Sequence, residues 1–218
     1  MALLRHRTTI ANRSGNHTAA CRHLLTADPV LRTLIGHVGP CTLKPRRAYF
    51  LTLCDSIISQ QLSTRVAEVI FERFVALYPL RRPTPVTVAG TSIDRLKSVG
   101  LSTQKSTYLK DLASAFLDGR IQVQRFAQLT NEDIIGELVS VHGIGRWTAE
   151  MFLIFALNRP DVLPVDDLGI QKAIQRWYGF GTLPSARTIR RLGRPWHPYE
   201  TIASWYLWRS QQLDRKEG

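Results

Sequence analysis

A short helical hairpin is the part of this sequence whose residue types and spacing indicate the clearest chemistry. The segment Val-His-Gly-Ile-Gly-Arg-Trp-Thr at 141–148 places Gly143 and Gly145 on either side of Ile144, between two apolar helical segments. Glycines allow a tight turn and a close approach of phosphate oxygens to backbone amides, and the dipole of a helix that begins near Arg146 favours an anion. Ile144 is expected to pack inside the hairpin. An ordinary turn between two helices would also need glycine, but with the charge of the chain the pattern favours phosphate binding.

Two adjacent acids follow the hairpin. The segment Leu-Pro-Val-Asp-Asp at 163–167 ends in Asp166 and Asp167, just before a helix expected over 168–177. A carboxylate there could reach whatever the hairpin holds, and together the two features indicate chemistry on DNA. The simpler interpretation is that both acids only cap the next helix.

The charge of the chain agrees with a polyanionic partner. Lys and Arg number 29 against 17 Asp and Glu, a formal net charge of +12, and the sequence pI is about 10.3. Such an excess favours nucleic acid, although an Arg-rich solvated surface would give the same composition. At 218 residues the chain can bury a core as one domain or as two closely joined lobes.

The cysteines argue against metal clusters. Cys21, Cys41 and Cys54 are widely spaced and form no CxxC pair, so neither zinc nor an iron–sulfur cluster is expected. A disulfide framework is equally disfavoured, which fits a reducing compartment. The sequence contains neither a signal-peptide core nor an apolar run long enough to span a membrane. We therefore expect an intracellular protein.

Helical periodicity dominates the chain and predicts a mostly or wholly α fold. Residues 1–21 are expected to form a flexible tail, and residues 22–218 a helical domain. Asp28 followed by Pro29 predicts a helix start. Residues 48–78 predict a long helical region that breaks around 59–63, with a core face made of Leu53, Ile57, Ile58, Val66, Val69, Ile70 and Phe74.

At this point the chain resembles the helix-hairpin-helix DNA glycosylases, and within them the DNA-3-methyladenine glycosylase II family, over residues 22–209. The motifs that carry the resemblance are Ala-Asp-Pro-Val-Leu at 27–31, Ile-Ser-Gln-Gln-Leu-Ser at 58–63, His-Gly-Ile-Gly-Arg-Trp-Thr-Ala at 142–149, Leu-Pro-Val-Asp-Asp at 163–167, and Trp-His-Pro-Tyr at 196–199 leading to Trp-Tyr-Leu-Trp at 205–208. The resemblance implies an all-α fold of two helical lobes, with a cleft for DNA and a flipped base between them.

The resemblance also implies a reaction. Asp167 matches the catalytic acid of the family, with Asp166 as its capping or supporting partner. Lyase-competent relatives carry a lysine where this chain has Trp147, so the implied reaction is monofunctional hydrolysis that removes alkylated purines of the 3-methyladenine and 7-methylguanine type. Deaminated or etheno bases are an alternative substrate, and a catalytically silent DNA-binding module is an alternative function.

The base pocket and the DNA contacts follow from the same resemblance. Aromatic faces attract partly cationic bases, and the expected pocket residues are Trp208, Trp205, Tyr206 and Trp147, although aromatics at helical spacing are commonly core. Gly169 departs from the family and is expected to widen the pocket. The expected DNA-binding residues are Gly143, Ile144, Gly145, Arg146 and Thr148, with Gln61, or alternatively Leu62, filling the gap left by the flipped base.

The implied partner is double-stranded DNA with a damaged base, bound by a monomer, in prokaryotic cytoplasm or a eukaryotic nucleus. The resemblance implies no required cofactor. It does imply a monovalent cation, Na⁺ or K⁺, on the backbone carbonyls of Val139, Val141 and Ile144. His142 stands where many relatives have proline, which puts the geometry of the hairpin in question.

Overall fold

The computed structural model describes residues 17–46 and 48–213, and within these ranges it contains helices and no β-strand. The all-α fold expected from the sequence is therefore confirmed. Short 3-10 turns occur at Pro79–Arg81, Val123–Gln128 and Arg194–Trp196. The α-helices are α1 (Thr18–Ala27), α2 (Pro29–Val38), α3 (Tyr49–Ser59), α4 (Thr64–Ala76), α5 (Pro85–Ala89), α6 (Ile93–Lys97), α7 (Thr103–Leu117), α8 (Asn131–Val139), α9 (Arg146–Phe155), α10 (Leu168–Trp177), α11 (Ala186–Gly193) and α12 (Glu200–Ser210).

The first helix begins earlier than the sequence indicates. The expected boundary of the tail at residue 21 falls inside α1. Ala20 and Leu24 of this helix are buried. The helix therefore already contributes to the core before residue 22. The rest of the expected tail, residues 1–16, lies outside the described residues, as do residues 214–218 of the expected domain.

Helices α3 to α7 form one lobe, in which α7 packs against α3, α5 and α6. The predicted break between α3 and α4 is present. Part of the predicted core face is wrong, because Val66 and Val69 are 46% and 44% exposed. Helix α4 buries Phe74, as predicted, but together with Ala67 and Val75 in place of the two valines.

The second lobe contains α1, α2, α10 and α12, which pack on one another, with α11 at its edge. Helices α8 and α9 pair with each other, and α9 also contacts α3 of the first lobe. The hairpin between α8 and α9 therefore lies where the two lobes meet.

The Asp28 carboxylate joins the beginning of the second lobe to its end. One oxygen accepts the backbone N–H groups of Val30 and Leu31, at 2.8 and 3.1 Å, which confirms the predicted start of α2. The other oxygen accepts the Tyr178 hydroxyl at 2.7 Å and the Trp196 indole N–H at 2.8 Å. Burial and the neighbouring Asp28 raise the pKa of Tyr178, so this hydroxyl remains a donor. One buried side chain thus holds four donors from three parts of the chain.

We expect Asp28→Ala to lower the free energy of unfolding by about 3 kcal/mol or more, because it removes a helix cap and leaves two buried donors without an acceptor. Chemical denaturation measures the change. The matched control is Ser92→Ala, which removes the cap of the exposed start of α6 and should cost only about 1 kcal/mol. Equal losses in the two variants would contradict the role of Asp28.

Candidate active site and nucleic-acid interface

Asp167 is a buried carboxylate that accepts three hydrogen bonds. It is 8% exposed and forms the N-cap of α10, where its Oδ1 atom accepts the Ile170 N–H at 2.8 Å. The same oxygen accepts the Trp208 indole N–H at 2.8 Å, and Oδ2 accepts the Trp147 indole N–H at 2.7 Å. An ionised carboxylate only accepts hydrogen bonds, and all three partners are donors. The sequence places Asp167 at this site but does not reveal that both indoles converge on it.

Asp166 does not cap α10. The cap is Asp167 itself, and Asp166 is exposed to solvent. The expectation that Asp166 caps the helix is therefore wrong. Adjacent residues of an extended turn point in different directions, and only the second acid is aligned with the first-turn amides of α10.

Trp208 is held between the acid and a second ring. Its indole stacks on Phe155, with centroids 5.7 Å apart and planes at 26°. A Cβ atom at Gly169 would lie 3.0 Å from Asp167 Oδ1 and 3.2 Å from Trp208 Cδ1. The sequence led us to expect that Gly169 widens the pocket. It does not, because the Trp208 indole fills the space that a side chain would occupy. Sequence analysis also missed Phe155, which lies in an ordinary apolar helix and carries no local signal.

Two of the expected pocket residues belong to the core instead. Tyr206 is fully buried, and its hydroxyl donates to the Gly39 carbonyl at 3.0 Å. Trp205 is 8% exposed, and its ring meets that of Tyr206 edge-on. Both residues pack on the side of α12 that faces the other helices of the lobe, so neither offers a ring face to a base.

The hairpin glycines have different tasks. Gly143 has φ +85°, and a Cβ atom there would lie 2.1 Å from the Tyr108 ring, so both backbone and space require glycine. Gly145 has an ordinary backbone and open space around it, and it is the N-cap of α9. Ile144 is 4% exposed, as the sequence predicted. No side chain caps α9, unlike α8 and α10, which leaves its first-turn amides open to an anion.

The side chains of Arg146 and Thr148 are less available than expected. The Arg146 guanidinium binds the Glu132 carboxylate at 3.0 Å and Glu150 at 3.2 Å. Glu150 is 6% exposed, and burial raises its pKa even though Arg146 partly offsets the effect. Thr148 is 6% exposed. At both positions the backbone amide, and not the side chain, is the group that remains open to an anion.

The turn between α3 and α4 is bonded to the hairpin. Gln61 is exposed with φ +58°, and Leu62 is half-buried with its N–H on the Ser59 carbonyl at 3.2 Å. Gln60, which sequence analysis did not single out, donates from Nε2 to the Gly143 carbonyl at 2.7 Å. Gln61 therefore protrudes at the tip of a turn that is fixed against the α8–α9 hairpin.

The carbonyls proposed for a cation lie on this hairpin. Val139 ends α8, and the Val141 carbonyl accepts the Ile144 N–H at 3.1 Å. Among the described residues no group of three or more His, Cys, Asp and Glu side chains could hold a metal ion. Over the same residues, no helix is both long and apolar enough for a membrane span.

Residues 54–198 match the HhH-GPD superfamily of base excision DNA repair proteins. The chain belongs to this superfamily. It is 31% identical over 94% of its length to the alkylbase DNA glycosidase-like protein mag2 of Schizosaccharomyces pombe, of which it covers 99%. The fold is similar to that of the 3-methyladenine DNA glycosylase Mag1 of the same yeast bound to abasic DNA, with a TM-score of 0.78, 33% identity, and coverage of 89% of this chain and 97% of the other. It is also similar to a DNA-3-methyladenine glycosidase from Bacillus halodurans, with a TM-score of 0.85, 30% identity, and coverage of 93% and 94%.

The two hairpin glycines of this HhH-GPD protein should respond differently to alanine. Gly143→Ala should lower the free energy of unfolding by about 3 kcal/mol, from backbone strain and overlap with Tyr108. Gly145→Ala, the matched control, should cost less than about 1 kcal/mol. Denaturant unfolding of both variants measures the difference. Similar stabilities for the two variants would contradict the geometry described here.

Proposed function

We propose that this HhH-GPD protein is a monofunctional DNA glycosylase. It removes alkylated purines of the 3-methyladenine and 7-methylguanine type from double-stranded DNA by hydrolysis and leaves an abasic site. The observation that carries the proposal is the buried Asp167 carboxylate, held by the indoles of Trp147 and Trp208 beside a hairpin with open amides. The names of the relatives, 3-methyladenine DNA glycosylases among them, support the substrate class.

The chemistry required of Asp167 is electrostatic. Breaking an N-glycosidic bond places positive charge on the deoxyribose, and a fixed carboxylate beside C1′ stabilises that charge or orients the attacking water. Oδ1 is occupied by two donors, whereas Oδ2 has the single donor Trp147, whose side chain is half-exposed. Each carboxylate oxygen has two acceptor sites, so Oδ2 keeps one site free and is the oxygen that a flipped nucleotide can reach.

Base recognition is assigned to the two indoles on Asp167. Alkylated purines carry positive charge and are attracted to electron-rich ring faces. One face of Trp208 is stacked on Phe155, and we assign the opposite face to the base. Trp147 also occupies the position of the lysine that would be needed for a Schiff base, so the sugar is attacked by water and the strand remains intact.

DNA binding is assigned to the hairpin and the α3–α4 turn. The amides at the start of α9 receive a phosphate, which positions the strand, and Gln61 enters the gap left by the flipped nucleotide. The Val139, Val141 and Ile144 carbonyls offer the oxygen ligands that Na⁺ or K⁺ would need, and such an ion would add positive charge beside the phosphate. No cofactor is required by this scheme. One hairpin and one cleft are enough for the protein to act as a monomer. It acts where DNA is found, in prokaryotic cytoplasm or a eukaryotic nucleus.

A second candidate is a protein that binds damaged DNA without releasing a base. It is favoured by one observation: Asp167 is only 8% exposed, with both oxygens occupied. In that case the carboxylate would serve only as the cap of α10. The two candidate functions predict different effects on base release when the charge of Asp167 is removed.

The test is base release from methylated double-stranded DNA, with freed purines and strand breaks measured separately. Asp167→Asn should reduce the rate about 100-fold or more while DNA affinity changes little, because the variant loses the charge and retains the shape. Asp166→Asn is the matched control and should retain wild-type rates, because Asp166 is exposed. Free alkylpurines with intact strands are expected from the wild type. Tight binding without release, including from DNA with deaminated or etheno bases, would instead establish the silent binding protein.

The indole N–H groups should contribute to the rate separately from the rings. Trp147→Phe and Trp208→Phe each retain an aromatic face and remove one donor to Asp167, so single-turnover base release should fall about tenfold in each variant. Trp205→Phe makes the same change on α12 without touching Asp167 and should leave the rate near that of the wild type. If all three variants release bases equally fast, the hydrogen bonds do not position the acid.

A further inference from the structure

A carboxylate of the first lobe reaches the hairpin between α8 and α9. Asp111 on α7 accepts two hydrogen bonds at one oxygen, Oδ2: from the backbone N–H of His142 at 2.8 Å and from its Nδ1 at 2.7 Å. The Asp111 side chain is 18% exposed, whereas that of His142 is 80% exposed. His142 immediately precedes Gly143, so both bonds end at the start of the glycine turn that the phosphate would approach.

Asp111 is itself fixed by an ion pair with Arg120. Its Oδ1 atom accepts from Arg120 at 2.9 Å, and the same guanidinium binds Asp118 at 3.0 Å. Partial burial raises the pKa of Asp111, but the hydrogen bonds from His142 and Arg120 outweigh this effect and hold the pKa below its ordinary value. The acceptor is therefore a carboxylate at neutral pH, with one oxygen anchored in its own lobe and the other on the hairpin.

Asp111 is the protein group that orients this part of the hairpin. His142 is exposed and lies between α8 and α9, so its N–H has no partner within a helix and bonds to Asp111 instead. The bond from Ile144 to the Val141 carbonyl closes the turn on itself but does not fix it relative to the first lobe. Asp111 provides that link through the backbone.

Other residues on the same face of α7 hold the same region. Tyr108, one turn before Asp111, packs under Gly143. Lys105, one turn earlier, donates from Nζ to the Gln60 carbonyl at 2.7 Å, and Gln60 in turn donates to the Gly143 carbonyl. This face of α7 therefore sets the distance between the hairpin and the turn that carries Gln61.

We propose that Asp111 is a positioning residue for DNA binding, which acts by accepting the His142 backbone N–H and so holds the hairpin amides in their phosphate-binding arrangement. The inference rests on the hairpin role in the proposed function, but it does not depend on base release. It concerns the backbone of residue 142 and not its imidazole. This difference makes it testable.

The test measures affinity for a duplex that contains a tetrahydrofuran abasic-site analogue, by fluorescence anisotropy, with concentrations corrected for the folded fraction. Asp111→Ala should weaken binding about tenfold, because the hairpin loses the hydrogen bond that holds its backbone in place. Asp118→Ala is the matched control, because Asp118 binds the same Arg120 without touching the hairpin, and it should change affinity less than about twofold.

A double-mutant cycle separates the backbone from the ring. In a His142→Ala background the N–H remains, so Asp111→Ala should again weaken binding. In a His142→Pro background there is no N–H to satisfy, and the same substitution should change affinity less than about twofold. Equal weakening in the proline background would overturn the proposal, because Asp111 would then act through Arg120 or through the fold as a whole.

Asp111→Asn gives an independent answer if the proline variant does not fold. Its amide oxygen can still accept the N–H although the charge is gone, so affinity should remain closer to the wild type than that of Asp111→Ala. Equal loss in both would overturn the proposal. If the wild type binds the duplex and Asp111→Ala binds it equally tightly, this inference alone is overturned. If the wild type binds but releases no base, only the glycosylase activity is overturned. A wild type that does not bind the duplex would overturn both.

Discussion

The hydrogen bonds on the Asp167 carboxylate are the constraint on which the site depends. A carboxylate that is 8% exposed must be compensated by donors, and here they come from three places: the first turn of α10, Trp147 at the start of α9, and Trp208 near the end of α12. Each donor is fixed by a different packing interface. The acid is therefore in place only when the hairpin and the C-terminal helix are docked on α10.

This arrangement connects DNA binding to the acid. The helix whose open N-terminus would receive a phosphate is the one whose second residue, Trp147, donates to Asp167. A strand held at the amides of α9 is therefore held at a fixed distance from the carboxylate. The bond from Gln60 to the Gly143 carbonyl extends the same rigidity to the α3–α4 turn. In the proposed function, one connected set of contacts positions the phosphate-binding amides of α9, the turn that fills the gap in the duplex, and Asp167.

The sequence predicts local features well, because their causes are local. The start of α2 follows from Asp28 and Pro29, and the hairpin turn follows from Gly143. The aromatic residues of α12 show why the pocket could not be predicted. Trp205, Tyr206 and Trp208 lie within one turn, and only the packing of α12 on α2 and α10 decides that Trp208 reaches Asp167 while Tyr206 reaches Gly39.

Long-range partners are the second limit of sequence analysis. Gln60 and Gly143 are 83 positions apart, and Asp111 and His142 are 31 positions apart, so no periodicity connects them. The same limit applies to Val66 and Val69. Their helical spacing suggests a core face, but which face of α4 is buried depends on the turn before it. Polar contacts between distant parts of the chain and the orientation of a helix after a break are settled by tertiary packing.

The placement of charge indicates how the protein holds DNA. The net charge of the chain is +12, but the Arg146 side chain at the hairpin is paired with Glu132 and Glu150. The start of α9 also lacks the side-chain cap that would stabilise it by about 1 kcal/mol. Its amides remain open instead, and the ion pairs leave the backbone as the group that a phosphate meets. In the proposed function, binding at this site relies on the shape of the hairpin backbone, which Tyr108 and Gln60 hold through their contacts with Gly143.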